Sequence, residues 1–471
     1  MGELKRVLGY KAILLMTINS IIGSGLFILP ALGAKISGTA SLISWGILSI
    51  FSIYISMNFA ELVGMFPSNG GVYEFSKIAY GRFPSFIVGW VSWLIGNITT
   101  AMLIVGAMKY LIPMQGVINV FGFPLSTEAL RTILSILWVL IFNYMTFRGV
   151  KTSSVMLITF AIITLGIIGI ILIPAIFHMD FSNLIPFFPH ESISGNLSAI
   201  FVTIFLISET FFGIESICFL AGETKNPEKV LPKALINATI IITILTVLLI
   251  FVTFTVVPAS IFANFSAPFA DLVKITLGDI GTKIISLGTY LVILGAAAGW
   301  IVTGPRLIQA LAKDKLFPNA LSDIHIKYKT PYKAILFQTI ATVIFILISS
   351  GSDGYTILVK LLTPMVLVIM TLVILIVPLL RKTQPSLNRP YKVKFPFIGP
   401  ILVVLFYLFL IIMWVSEEQG GALFYIKLGI SLVALGIPVY FLLMLYYNPD
   451  ALRKILDKTA KFKLYTENWN S

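Results

Sequence analysis

Apolar residues run along this chain in twelve long stretches, each followed by a short polar one. They cover about residues 10–33, 40–66, 85–113, 129–147, 154–177, 196–221, 233–258, 280–312, 334–350, 354–380, 398–416 and 423–447. About 20 consecutive apolar residues in a helix cross a hydrocarbon core of roughly 30 Å. The pattern therefore predicts an all-α integral membrane protein with 12 transmembrane helices.

Two of these stretches are interrupted near their middles. The first span reads Thr17-Ile18-Asn19-Ser20-Ile21-Ile22-Gly23-Ser24-Gly25-Leu26-Phe27, and the sixth reads Ser208-Glu209-Thr210-Phe211-Phe212-Gly213-Ile214-Glu215-Ser216. A helix in lipid normally satisfies its own backbone, so unwinding at membrane depth is tolerated only where the freed groups are buried in protein or line a cavity. Paired breaks in corresponding places of two halves point to a secondary transporter with a central site. Gly25 and Gly213 lie five helices apart. An odd number reverses the second unit, which predicts a five-plus-five inverted repeat with helices 1 and 6 discontinuous. The expected organisation is residues 1–178 and 179–380 as the two repeats, 381–447 as two appended helices, and 448–471 as a cytoplasmic tail.

Composition agrees with lipid as the solvent. Of 471 residues, 58% are hydrophobic and 11% charged, with a mean hydropathy of +0.99. The net charge of +13 would suit a nucleic-acid partner, but its placement favours a membrane. With the N-terminus inside, only Lys35, Lys109, Arg131, Lys274, Lys283 and Lys427 fall outside, and Lys360 falls within a span; every other Lys and Arg is inside. That asymmetry predicts both termini in the cytoplasm, in a plasma or inner membrane. Lys5, Arg6 and Lys11 precede the first span without a small-residue cleavage pattern, so a retained helix is expected rather than a signal peptide. The tail segment Leu452–Lys458 has the spacing of an amphipathic helix that would lie on the inner leaflet, although a solvated tail fits as well. One cysteine, Cys218, excludes an intramolecular disulfide and reads as a small buried residue of the sixth span.

The breaks carry the candidate chemistry. Gly23-Ser24-Gly25 exposes backbone N–H groups at the start of a half-helix, whose partial positive charge suits a carboxylate; taken alone, Gly-x-Gly also fits a helix-packing face. Around Phe212 and Gly213, freed carbonyls suit an ammonium group. Of 20 acidic residues, only Glu209 and Glu215 fall deep within a span. Intramembrane acids mark functional sites by default, here in proton or cation handling; the alternatives are protonation or bonding to freed N–H groups. Trp300 follows Gly295-Ala296-Ala297-Ala298-Gly299, small residues that let another helix or a ligand come close. An indole face holding a cation gains about 0.5–2 kcal/mol. Asn97 is a mid-span polar residue that serves either a ligand or an interhelical hydrogen bond.

Four motifs resemble the amino acid–polyamine–organocation (APC) permeases over roughly residues 8–380. They are Ile22-Gly23-Ser24-Gly25-Leu26-Phe27; Phe212-Gly213-Ile214-Glu215-Ser216; Glu223-Thr224-Lys225-Asn226-Pro227-Glu228-Lys229-Val230-Leu231-Pro232; and Lys313-Asp314-Lys315-Leu316-Phe317-Pro318 after Arg306. The resemblance implies a LeuT/APC-type fold and amino-acid transport by alternating access. In detail it is similar to the basic amino acid/polyamine antiporters. It then implies Ser24 and Gly25 as carboxylate binders, Ile21 and Phe212 as carbonyl donors to the amino group, Asn97 and Trp300 as substrate contacts, and Glu215 as their sixth-helix glutamate. Glu209 stands where those antiporters carry a gating tryptophan, and Ser20 where they carry an asparagine. Thr164 is the nearest match to the fifth-helix lysine of proton-coupled relatives, and no Ser/Thr pair in helix eight completes a sodium site. Exchange of cationic amino acids or polyamines is the expected activity, with proton-coupled symport of neutral amino acids or a non-transporting nutrient sensor as alternatives.

The expected substrate-binding set is thus Ile21, Ser24, Gly25, Asn97, Glu209, Phe212, Gly213 and Trp300, with Glu209, Glu215 and Thr164 in coupling or gating. Neither a His-Glu-x-x-His metal motif nor a Walker-type Gly-x-x-x-x-Gly-Lys-Ser/Thr occurs, and His178, His190 and His325 all fall in loops. The expectation is therefore no enzyme, cofactor, metal or nucleic-acid partner, but a small-molecule substrate, membrane lipid, and a monomer or homodimer.

Overall fold

The computed structural model describes residues 6–112, 116–120, 123–349, 354–417 and 421–447. The predicted tail segment Leu452–Lys458 lies outside them. In chain order the helices are α1 (Tyr10–Ile21), α2 (Ser24–Ser37), α3 (Ser41–Met65), α4 (Val72–Tyr80), α5 (Arg82–Met108), α6 (Thr127–Phe147), α7 (Val150–Ile176), α8 (Ile193–Ile207), α9 (Pro227–Val256), α10 (Ala259–Phe262), α11 (Pro268–Lys313), α12 (Tyr332–Ile348), α13 (Gly354–Ile374), α14 (Ile376–Thr383), α15 (Ile398–Glu417), α16 (Gly421–Ala434) and α17 (Gly436–Tyr447). A two-stranded antiparallel hairpin, Val117–Val120 with Phe123–Ser126, precedes α6.

Among the described residues, ten helical stretches are long and apolar enough to cross a membrane. The first, Tyr10–Met65, contains two predicted spans, and Tyr332–Ile348 is a shorter apolar helix. Every predicted span is thus helical, and the chain is an all-α integral membrane protein. Their burial differs with position. The most apolar stretch of α5 is 89% buried, while that of Gly421–Tyr447 is 17% buried. The first stands at the centre of the bundle and the second at its lipid-facing edge.

Buried hydroxyls along the helices mostly satisfy themselves. Thr17, Thr100, Thr239 and Thr253 each donate to the carbonyl four residues earlier at 2.7–2.9 Å, which keeps a polar side chain tolerable without a partner helix. Within the bundle α1 is packed between α7, α9 and α11, α2 lies along α8, and α5 lies along α11 and α13.

Two features depart from the sequence pattern. The span expected at 280–312 is the later part of a 46-residue helix. An unbroken helix of that length would run about 70 Å at 1.5 Å per residue, far beyond a bilayer core. Gly278, with φ +68°, turns the chain and separates an arm over 268–277 from the crossing segment. The polar stretch between the second and third spans holds the short helix α4, with Val72, Tyr73, Phe75 and Ser76 on its buried side.

The face carrying the N-terminus is laced by polar contacts. Val7 and Leu8 donate backbone N–H groups to the Glu223 carbonyl at 2.9 and 3.0 Å, and Lys225 returns one to Leu8 at 2.8 Å. Arg306 and Glu223 form an ion pair at 3.0 Å that is fully buried. Glu61 accepts from Nε and Nη2 of Arg381, each at 2.8 Å, and from the Val393 N–H at 2.7 Å. Bidentate charge-assisted bonding of this kind is strong and directional. Asp314, at the end of α11, accepts from Tyr73 and Lys77 of α4. Burial alone would lower the pKa of Lys77, but the bond to Asp314 and the nearby Glu74 carry it above the ordinary lysine value.

Candidate functional site: two broken helices in contact

The first break lies where the sequence places it. The helix α1 stops at Ile21, Ile22 is extended (φ −78°, ψ 105°), and α2 restarts at Ser24 after Gly23. Stopping a helix strips the carbonyls of its last turn and the N–H groups of the next first turn of their partners. No side chain caps α2, and its first turn contains no acidic residue. Its 14 residues give that bare N-terminus a full partial positive charge.

The second break is longer. After α8, Ser208–Phe211 tightens into a 3-10 turn, Phe212 is extended (φ −71°, ψ 144°), and a second 3-10 segment spans Ser216–Glu223. Gly213 has φ +112°, a conformation that glycine adopts without steric cost. The freed groups are partly recaptured. The Glu215 carboxylate accepts the Gly213 N–H at 3.1 Å, and the Ser216 hydroxyl donates to the Gly213 carbonyl at 2.7 Å. Glu215 thereby holds its own break in shape.

The two breaks touch at two places. A β-carbon on Gly213 would overlap the carbonyl oxygen of Ser20. One on Gly25 would overlap the Glu209 Oε2 and lie 2.6 Å from the Thr210 α-carbon. Glycine at both positions is what allows the segments to meet. The Ser24 hydroxyl donates to Glu209 Oε1 at a long 3.4 Å. The Glu209 side chain thus faces the start of α2.

The eighth-span run of small residues serves α1. Asn19 donates to the Gly295 carbonyl at 2.7 Å. A β-carbon on Gly299 would stand 2.8 Å from the Ser20 hydroxyl, and one on Gly23 would stand 3.1 Å from Ala296. Trp300 follows directly and rests its ring on Gly96, where a β-carbon would be 3.3 Å from the indole. Asn97 bridges helices, donating to Trp93 at 2.8 Å and accepting from Thr342 at 2.9 Å. Trp300, Asn97, Ser92, Phe219 and Gln338 line a small cavity of about 10 Å³, on the order of a single water. Thr164 is buried on α7 and donates to the Phe160 carbonyl of its own helix at 2.9 Å. It makes no hydrogen bond to either break.

Several buried polar atoms around the breaks have no hydrogen-bond partner among the described residues: Asn19 Oδ1, Ser20 Oγ, Glu209 Oε2, Thr210 Oγ1 and Gln338 Oε1. Native interiors hold few such atoms. Asn19, Thr210, Gln338 and Thr342 were not among the residues singled out in the sequence. Gln338 and Thr342 stand four apart on the buried face of a mostly apolar helix, which is the signal the sequence offers for them; Asn19 adjoins Ser20, and Thr210 adjoins Glu209.

Comparison with known proteins accounts for this arrangement. The sequence model of the family described as "Amino acid permease" matches residues 8–438. The chain is 27% identical over 455 residues to the branched-chain amino acid permease BcaP of Bacillus subtilis, covering 93% of each chain. It is 28% identical over 450 residues to the serine/threonine exchanger SteT of the same organism, covering 93% of this chain and 97% of the relative. It is 26% identical over 455 residues to an arginine/agmatine antiporter of Chlamydia trachomatis, covering 92% and 89%. With its broken first and sixth spans in contact and nearly its whole length matched, the chain belongs to the amino acid permease family of the APC superfamily.

Proposed function

We propose that this permease exchanges amino acids across the cell membrane by alternating access, with the substrate held between the two breaks. Its carboxylate sits at the N-terminus of α2, on Ser24 and Gly25, and its ammonium faces the carbonyls of Ile21 and Phe212. Asn97 and Trp300 flank its side chain. The observation that carries this reading is the group of unpartnered polar atoms, Asn19 Oδ1, Ser20 Oγ, Glu209 Oε2 and Thr210 Oγ1, where two unwound helices meet. A zwitterion supplies donors and acceptors to such atoms. The cavity beside Trp300 is far smaller than the ~300 Å³ or more of a ligand pocket, so a side chain flanked by Asn97 and Trp300 requires the helices around it to move apart. That is the motion alternating access needs.

A lean toward cationic substrates follows from Glu209 and Glu215, two buried carboxylates for which no ion pair is found among the described residues. A buried charge is costly unless matched, and a substrate amine or a proton supplies the match. The reading also takes residues 1–178 and 179–380 as inverted five-helix units, 381–447 as appended helices, both termini as cytoplasmic, and coupling as exchange in which Glu209, Glu215 and Thr164 take part.

The test is counterflow in proteoliposomes. Vesicles preloaded with unlabelled arginine, serine or leucine are diluted into the labelled amino acid. Saturable uptake that depends on preloading is expected, greatest for arginine. Current that fails to saturate would identify a channel, and binding without uptake would identify a sensor.

A further inference from the structure

A carboxylate from this same chain lies against the first turn of α2. That turn is uncapped, yet Gly25 is in contact with Glu209 Oε2, and the Ser24 hydroxyl reaches Glu209 Oε1 at 3.4 Å. Glu209 is only 5% exposed, and its Oε2 has no hydrogen-bond partner among the described residues. Thr210 presses on Gly25 from the same side, so Glu209 and Thr210 together crowd that face of the first turn.

We infer that Glu209 is a built-in occupant of the substrate-carboxylate position, displaced when an amino acid binds. Once displaced, its charge turns to a cationic group on the substrate's side chain, the α-ammonium being held by the carbonyls of Ile21 and Phe212. This rests on the proposed placement of the substrate and adds a specificity rule to it. A zwitterion must expel Glu209 and leaves its charge unmatched, whereas an amino acid with a cationic side chain expels it and then pairs with it. Glu209 therefore penalises neutral substrates more than basic ones. A ligand that competes with an occupant binds more weakly by the fraction of time the position is free. An occupant present about nine-tenths of the time weakens binding about tenfold.

The experiment uses the purified full chain. Glu209→Ala vacates a carboxylate-sized space at the helix end, and acetate, with chloride at equal ionic strength as control, is the probe. Acetate-specific thermal stabilisation of Glu209→Ala and none of the wild type is the expected result. No shift in the variant, or an equal shift in both, overturns the inference. If Glu209→Ala does not fold, Glu209→Gln decides by calorimetry with serine and arginine. Serine affinity rising about tenfold, with arginine gaining less, supports the inference; serine affinity unchanged or reduced overturns it. Failure of the transport reading looks different: acetate fills the vacated end, but no amino acid is bound or exchanged by the wild type.

Discussion

Gly213 sits so close to Ser20 that any side chain at position 213 would run into the Ser20 carbonyl oxygen. The two residues belong to different broken helices, and this contact fixes how the breaks approach each other.

Replacing Gly213 with alanine tests that contact. The φ of +112° costs an L-residue about 1–3 kcal/mol, and the new β-carbon must also push Ser20 away. Gly213→Ala is expected to abolish counterflow while leaving surface expression measurable. Uptake at wild-type rates would mean that the contact is dispensable.

Glu215 and Glu209 separate by substitution. Glutamine at 215 keeps an acceptor for the Gly213 N–H, whereas alanine leaves a buried donor unpaired at about 1–3 kcal/mol. Glu215→Ala is therefore expected to lower the melting temperature clearly more than Glu215→Gln. Equal melting temperatures would show that the carboxylate does not hold the break.

Trp300 offers its indole where a cationic side chain would lie. Trp300→Phe, which keeps an aromatic ring on Gly96, is expected to weaken arginine binding by about 0.5–2 kcal/mol and serine binding by less. Isothermal titration with both amino acids checks this. Equal losses for the two would assign Trp300 to packing.

The Arg306–Glu223 pair is the test of burial. Removing one partner leaves an unmatched buried charge, so Arg306→Met is expected to destabilise the fold by about 3–5 kcal/mol. Combining it with Glu223→Gln should recover much of that loss. Thermal unfolding of the single and double variants measures the difference, and a double variant no more stable than Arg306→Met would contradict it.

Much of this protein is legible in its residue order because the relevant signals are local. Span length and apolarity are read directly against bilayer thickness, so the helices were predictable even where their ends were not. The breaks were legible for the same reason. Glycines beside polar residues in mid-span also serve helix packing, but their recurrence in two halves of the chain marked the breaks: Gly23 and Gly213 sit where the helices unwind, and Gly25 in the first turn of the helix that restarts.

Partner choice was not legible. Glu209 and Glu215 look alike in sequence, six residues apart on one span. In the folded chain Glu215 bonds two residues back to Gly213, while Glu209 faces Ser24 and Gly25 of another helix. The run Gly295–Gly299 marks a close approach in any reading, but only packing shows that Asn19 and Ser20 of α1 make it. Gly278 likewise shows its turn only through its backbone angle. Periodicity along a helix records which face avoids lipid, and that record is complete in the residue order. Which helix stands opposite that face depends on how twelve apolar surfaces are fitted together at once, and only the folded chain decides it.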